Sequence, residues 1–146
     1  MGKQIDSFRG QYRFLSNFYP SVIQYTGYWY PTVEHAYQAA KTRKLGERVI
    51  FQCPSELRPG DAKREGKKVT LRANWNVLKI IVMKNLLREK FKEPVLRKQL
   101  LGTGDSELIE GNDWGDEYWG KCRGRGLNWL GKLLMEVRDE IHEQAD

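Results

Sequence analysis

The sequence is poor in the residues that mark several protein classes. Cysteine occurs only at Cys53 and Cys122, and histidine only at His35 and His142. Neither cysteine belongs to a Cys-x-x-Cys pair, and two histidines at no ligand spacing do not complete a zinc site, so no metal and no cofactor are expected. One disulfide is arithmetically available, but two free thiols in a reducing cytoplasm are the simpler expectation. The longest unbroken aliphatic stretch, Ile80-Ile81-Val82-Met83, is far short of the ~20 apolar residues of a membrane span. Met1 to Gly10 lacks the apolar core of a secretory signal, and Asp6 stands where N-myristoylation of Gly2 wants Ser or Thr. No membrane partner is therefore expected. Also missing are a Walker loop, a Gly-x-Ser-x-Gly elbow and a His-Glu-x-x-His helix, and Gly120, Gly124 and Gly126 have the wrong spacing for a Rossmann turn. Walker-type nucleotide hydrolysis, serine hydrolase chemistry and zinc proteolysis all recede. With no repeat, low-complexity tract or Pro/Ser linker, the 146 residues read as a single compact domain, 1–146.

What is present is a folded composition, 40% hydrophobic and 30% charged, with a formal charge of +6. Such a balance attracts phosphates, in nucleic acid or on a small metabolite. The excess is uneven. Arg58, Lys63, Arg64, Lys67, Lys68 and Arg72 face only Asp61 and Glu65, and this cluster reads first as a solvated helix face. Lys121, Arg123 and Arg125 sit among Gly120, Gly124 and Gly126. That segment reads instead as an anion loop, because glycines let backbone amides approach a ligand closely.

Periodicity supplies the elements. Val22–Tyr25 and Tyr28–Tyr30 flank Thr26-Gly27 as a short β-hairpin. Thr32 is placed to N-cap a helix running to about Lys44. Val49–Cys53 is a short apolar piece and Asp61–Lys68 a short basic helix. Trp75 opens a long amphipathic helix ending before Pro94, and Pro94–Leu101 forms another, stopped by Gly102. Glu107–Glu110 reads as a brief strand, Gly111–Gly126 as a loop, and Leu130 to Ile141 as the last helix. The class is α+β, mainly α: several helices with a small N-terminal hairpin or sheet.

Two segments carry chemistry. At about 100° per residue, Val33, Ala36, Tyr37 and Ala40 fall on a core stripe of the first helix, and Glu34, Gln38 and Lys41 on a second stripe beside it. Periodicity leaves that polar stripe either solvated or lining a cleft. Downstream, Asn112-Asp113-Trp114-Gly115-Asp116-Glu117-Tyr118-Trp119-Gly120 interleaves acids with tryptophans. It suits either a pocket that stacks a flat ring and protonates a bond beside it, or a turn with Asx caps and core tryptophans. Trp75 reads more simply as core than as a ligand platform.

The order of these segments resembles the NADAR family of YbiA-like N-glycosidases. The matching pieces are Phe14-Leu15-Ser16-Asn17-Phe18, Tyr30-Pro31-Thr32-Val33-Glu34-His35 running on through Gln38 to Lys41, Asn74-Trp75 with Met83, and Lys90-Phe91. Leu101 to Asp105, Glu110, Asp116 to Gly120, Gly126 through Asn128, Leu130-Gly131, Leu133-Leu134-Met135 and Val137-Arg138 complete the set. The resemblance implies a mostly helical domain that hydrolyses an N-glycosidic bond between ribose and a nitrogen base. Substrates of the family are early ribosylamino-pyrimidine phosphates of riboflavin biosynthesis, or ADP-ribose on guanine in nucleic acid. By the resemblance the key acid is Glu34, the lysine Lys41, and the loop acid and tryptophan Asp116 and Trp119. The Glu34/Gln38/Lys41 stripe then becomes a cleft wall.

Cleaving a C1′–N bond needs charge stabilised on the sugar and a proton for the departing base, roles that Glu34 and Asp116 can fill. Lys41 offers a second route, replacing the base nitrogen through an imine that water hydrolyses. That route needs a neutral amine, and Arg43 and Lys44 are the nearby cations in sequence. Glu34 and Lys41 lie two turns apart, about 10 Å along the axis. Expected substrate contacts are Ser16 and Asn17 through polar groups, Phe18, Trp119 and Trp75 through rings, and Gly120, Arg123 and Arg125 at a phosphate. The family's loop after Trp-Gly tends to carry an acid where Cys122, Arg123 and Arg125 stand here, which favours a larger anion such as ADP-ribose on DNA. A non-catalytic ADP-ribose or NAD-derivative binding module is the alternative, and a basic nucleic-acid-binding protein a third reading. The pairing of Glu34 with Lys41 favours catalysis.

Overall fold

A computed structural model describes residues 3–145; Met1, Gly2 and Asp146 lie outside the described residues, and with them the myristoylation reading at Gly2. In chain order come β1 (Gln4–Ile5), a 3-10 turn (Gly10–Leu15), β2 (Ile23–Tyr25), β3 (Tyr28–Tyr30) and α1 (Val33–Ala40). Then follow α2 (Leu45–Arg48), a second 3-10 turn (Val49–Phe51), α3 (Pro59–Glu65), α4 (Trp75–Lys90) and α5 (Pro94–Leu101). The chain closes with β4 (Glu107–Leu108), β5 (Gly111–Asn112), β6 (Lys121–Cys122) and α6 (Trp129–Ala145). The class is α+β, mainly α. Its contacts cluster into two units, residues 17–90 and residues 3–16 with 91–145.

In the 17–90 unit, β2 and β3 pair antiparallel with Ile23 opposite Tyr30, as the sequence predicts. The turn between them puts Thr26 at φ 48° and Gly27 at φ 86°, the left-handed pair of a two-residue hairpin. Thr32 then caps α1: its Oγ1 accepts the His35 amide at 3.1 Å. The helix stops at Ala40, short of the expected Lys44, because residues 42–44 leave the helical path before α2 begins. Thr42 and Arg48 tie down that exit, with Arg48 Nε donating to the Thr42 carbonyl at 2.7 Å. Helix α1 packs on β2, β3, α3 and α4, and all eight of its residues are buried. The polar stripe of α1 is therefore not a solvated face. Helix α4 buries Val82, Met83, Leu86 and Leu87, each contributing about 1.5–3 kcal/mol of apolar transfer.

In the other unit, β1 pairs parallel with β4, Ile5 opposite Leu108, a contact between distant segments that local periodicity cannot announce. Helix α6 packs on β4 and α5, burying Leu130, Leu133, Leu134, Val137 and Ile141 at helical spacing. Asn128 links the start of α6 to the preceding chain: its Oδ1 accepts the Glu110 amide at 3.0 Å and its Nδ2 donates to the Leu108 carbonyl at 2.9 Å. The segment expected to be wholly loop contains β5 and β6 paired in parallel, Gly111 opposite Lys121. Two-residue strands are too short to show an alternation, which is why the sequence hides them.

Candidate active site

Helix α1 organises the polar groups of the 17–90 unit. Burial takes in Glu34 (8% exposed), His35 and Gln38, and Lys41 at the C-cap is half-buried. Gln38 Nε2 donates to Glu34 Oε2 at 2.5 Å, so a neutral amide fixes one oxygen of the carboxylate. The Glu34 amide in turn donates to the Asn17 carbonyl at 3.1 Å. Asn17 is itself buried and its Nδ2 lies 3.5 Å from Met83 Sδ. Two buried acceptors, Asn17 Oδ1 and Gln38 Oε1, have no hydrogen-bond partner among the described residues. Gln38 Oε1 is packed against Gly66, and buried polar atoms are usually paired, so Asn17 Oδ1 is the acceptor at which a ligand's donor would be favoured.

Lys41 is the electrostatic centre of this set. Desolvation pushes its ammonium below the ordinary lysine range, and the charges of Lys67, Lys63 and Lys79 push the same way while Glu34 opposes them. The cations expected from sequence, Arg43 and Lys44, are exposed and are not the ones that act. Lys41 Nζ lies 5.7 Å from the Tyr37 ring centroid, and Tyr37 stacks obliquely on Trp75 at 5.3 Å. Trp75 is 5% exposed, so its indole supports Tyr37 from within the core. His35 is bound at both nitrogens, Nδ1 to Thr32 Oγ1 and Nε2 to the Leu57 carbonyl, both at 2.7 Å. The carbonyl accepts from Nε2–H, and burial pushes the imidazole pKa down, so this is a neutral structural histidine.

The remaining expected contacts divide by segment. Ser16 caps the first 3-10 turn through its amide, and Phe18 is 42% exposed. In the other unit, Asp116 Oδ1 accepts the amides of Tyr118 at 3.1 Å and Trp119 at 2.9 Å, while Asn112 bonds the Asp116 backbone on both sides. That is the Asx-capped turn weighed from sequence, with Trp119 half-buried and edge-on to Tyr118 at 5.0 Å. Gly120 and Gly126 are glycines because a Cβ at either would strike backbone, Glu110 at the first and Gly120 at the second. Their openness serves chain packing rather than an anion. Arg123 and Gly124, at φ 52° and 81°, form the tip of a tight turn closed by Cys122 and Arg125. Arg123, Gly124, Lys121 and Arg9 line a cleft of about 510 Å³ in this unit, together with Asp6 and Asp113; Arg125 is exposed and outside that lining.

Sequence reasoning matched Lys90 to the family but gave it no role; it is 1% exposed at the end of α4, with Nζ 5.8 Å from the Tyr19 ring centroid. Burial pushes its pKa down to about 7. A lysine in register with Leu86, Leu87 and Phe91 was the available signal. Cys53 and Cys122 are free thiols, and no three His, Cys, Asp or Glu side chains among the described residues gather as metal ligands would. No helix among those residues is long and apolar enough to cross a membrane.

Comparison with known proteins places this geometry in context. The model of the NADAR domain matches residues 6–142. The chain is 39% identical over 136 residues to a riboflavin biosynthesis protein of Vibrio vulnificus, covering 90% of this chain but 36% of that protein. A chloroplastic riboflavin biosynthesis protein of Zea mays is 37% identical, with 23% of its length covered. The chain thus spans about a third or less of these two relatives. The N-glycosidase YbiA of Escherichia coli is 38% identical over 131 residues, covering 87% of this chain and 80% of that one. Its solution structure superposes with a TM-score of 0.85 at 36% identity, over 99% of this chain and 89% of that one.

Proposed function

The chain belongs to the NADAR family, and from that premise we propose that it is a hydrolase of N-glycosyl bonds, cleaving the C1′–N bond of a ribosylamine that carries phosphate. The observation that carries the reading is the arrangement on α1: a buried glutamate held by Gln38, and seven residues on a lysine whose pKa is lowered by desolvation and by like charge. Those are the conditions an amine nucleophile needs. A ribosylamine opens to an imine at C1′. Lys41 Nζ adds to C1′, the base nitrogen takes a proton and leaves, and the resulting Lys41 imine is hydrolysed by water to release ribose. Glu34, close enough for its charge to act on Lys41, is the group that passes the proton to the departing nitrogen. The orphan Oδ1 of Asn17 is suited to a sugar hydroxyl, whereas Oε1 of Gln38 is packed against Gly66. For Asp116 the geometry supports a positioning role, holding the turn that carries Trp119.

The substrate of this reading is an early ribosylamino-pyrimidine phosphate of riboflavin synthesis. The formal charge of +6 favours ADP-ribosylated guanine in nucleic acid as the second substrate to offer. With two free thiols, the cytoplasm is the compartment we assign. Purified protein given both substrates should release free base from at least one. Glu34→Gln and Lys41→Ala should each lower kcat by at least 100-fold with the fold intact, and borohydride should trap an adduct on Lys41. Turnover by Lys41→Ala at the wild-type rate would overturn the imine route, and turnover of neither substrate would overturn the activity.

A further inference from the structure

The six cations between residues 58 and 72 are not equivalent. Asp61 takes Arg58 and Arg64, and Glu65 takes Lys68 at 2.8 Å, which uses both acids of the segment. Among the described residues neither Lys63 nor Lys67 has an ion-pair partner. Packing fixes where these two stand. Helix α3 lies on α1 through buried Ala62 and Gly66, and a Cβ at Gly66 would strike the side chain of Gln38. Gly66 has an ordinary helical φ of −62°, so glycine is there for closeness rather than for conformation. Lys63 and Lys67 flank that contact, near enough for their charges to bear on Lys41.

Arg72 reaches the same place by another route. Its amide donates to the Lys41 carbonyl at 2.7 Å and its Nη1 to the Ala40 carbonyl at 3.4 Å, while its Nε is buried with no partner. A buried N–H left unsatisfied costs about 1–3 kcal/mol, and gathered ammonium groups repel one another. An oxyanion with several acceptors removes both costs. The negative end of α1 also draws cations, but a field of partial charges leaves Arg72 Nε as unpartnered as before.

We propose that Lys63, Lys67 and the guanidinium of Arg72 form a phosphate seat beside Lys41 that anchors the ribosyl substrate. The ligand's identity rests on the N-glycosidase reading; the seat itself does not. The phosphate is a monoester or a diphosphate on the ribose, and either offers the tetrahedral oxygens these donors match.

NMR titration of the full chain with inorganic phosphate and with pyrophosphate tests this directly. Lys63→Gln/Lys67→Gln should weaken binding about 100-fold, tenfold per lysine. Arg64→Gln/Lys68→Gln, the same change of charge in the same segment, should stay within about threefold. Lys63→Arg/Lys67→Arg should bind nearly as wild type, which separates lost contacts from a misfolded helix. Equal weakening by the two Gln pairs, or none by the first, overturns the seat. The anion bound more tightly names the ligand as monoester or diphosphate. In turnover, Lys63→Gln/Lys67→Gln should raise KM for a phosphorylated ribosylamine but not for its dephosphorylated counterpart, while the Lys41-dependent kcat shifts alike for both. If wild type turns over neither substrate yet binds phosphate with this pattern, the activity fails and the seat stands.

Discussion

Lys90 allows a stability prediction whose size follows from its burial. Its ammonium is wholly enclosed at the end of α4, and its pKa falls from 10.5 to about 7. The folded state therefore binds fewer protons than the unfolded chain between these two values. Stability must rise with pH across that window, by up to about 1.4 kcal/mol per pH unit, and be flat below it, where both states hold the proton. The whole span is about 5 kcal/mol, a large share of the 5–15 kcal/mol that holds a typical domain. Urea unfolding at pH 7.5 and pH 9.5, for wild type and Lys90→Met, isolates the effect, because every other titrating group is common to both. Methionine keeps the unbranched chain that fills the space. The stability of Lys90→Met relative to wild type should fall by about 2–3 kcal/mol from pH 7.5 to pH 9.5. A difference that does not change with pH would refute the reasoning, since the cost would then not be that of a buried charge.

Gly66→Ala should displace Gln38 from Glu34, lowering kcat at least tenfold with a smaller change in KM; steady-state kinetics on the folded variant decides it. Thr32→Ala removes the N-cap of α1 and one partner of His35, and should cost about 1–2 kcal/mol in a denaturant titration. Asp116→Asn keeps an Oδ1 acceptor for the Tyr118 and Trp119 amides and should retain most activity, whereas Asp116→Ala should lose activity together with the near-ultraviolet signal of the tryptophans. Activity should rise with pH along a limb set by Lys41, and Lys63→Gln/Lys67→Gln should move that limb to higher pH, because the pair holds the Lys41 pKa down.

Where structure follows from local rules, the sequence reading and the fold agree. Thr26-Gly27 can only be a tight left-handed turn, Thr32 caps, Gly102 ends α5, and the spacing of Leu130 to Ile141 makes α6. What failed to show were pairings between distant segments, β1 with β4 and β5 with β6, each two residues long. Burial of α1 on every side was hidden for a related reason. An amphipathic stripe predicts one covered face, and Glu34 and Gln38 satisfy each other well enough for the second face to be covered too.

The charges of α3 teach something else, because their sorting was legible and was missed. On a helix an acid reaches cations three or four positions away. Asp61 reaches Arg58 and Arg64, and Glu65 reaches Lys68, as the ion pairs show. Lys63 has Pro59, Gly60, Gly66 and Lys67 at those positions, and Lys67 has Lys63, Arg64, Thr70 and Leu71, with no acid among them. A cluster counted as six positive charges against two negative is therefore three cations sharing two acids plus Lys63, Lys67 and Arg72, which local acids never answer. What the sequence could not supply was the direction these three face. That comes from Gly66, whose missing side chain lets α3 close on Gln38 and turns an unbalanced helix toward Lys41.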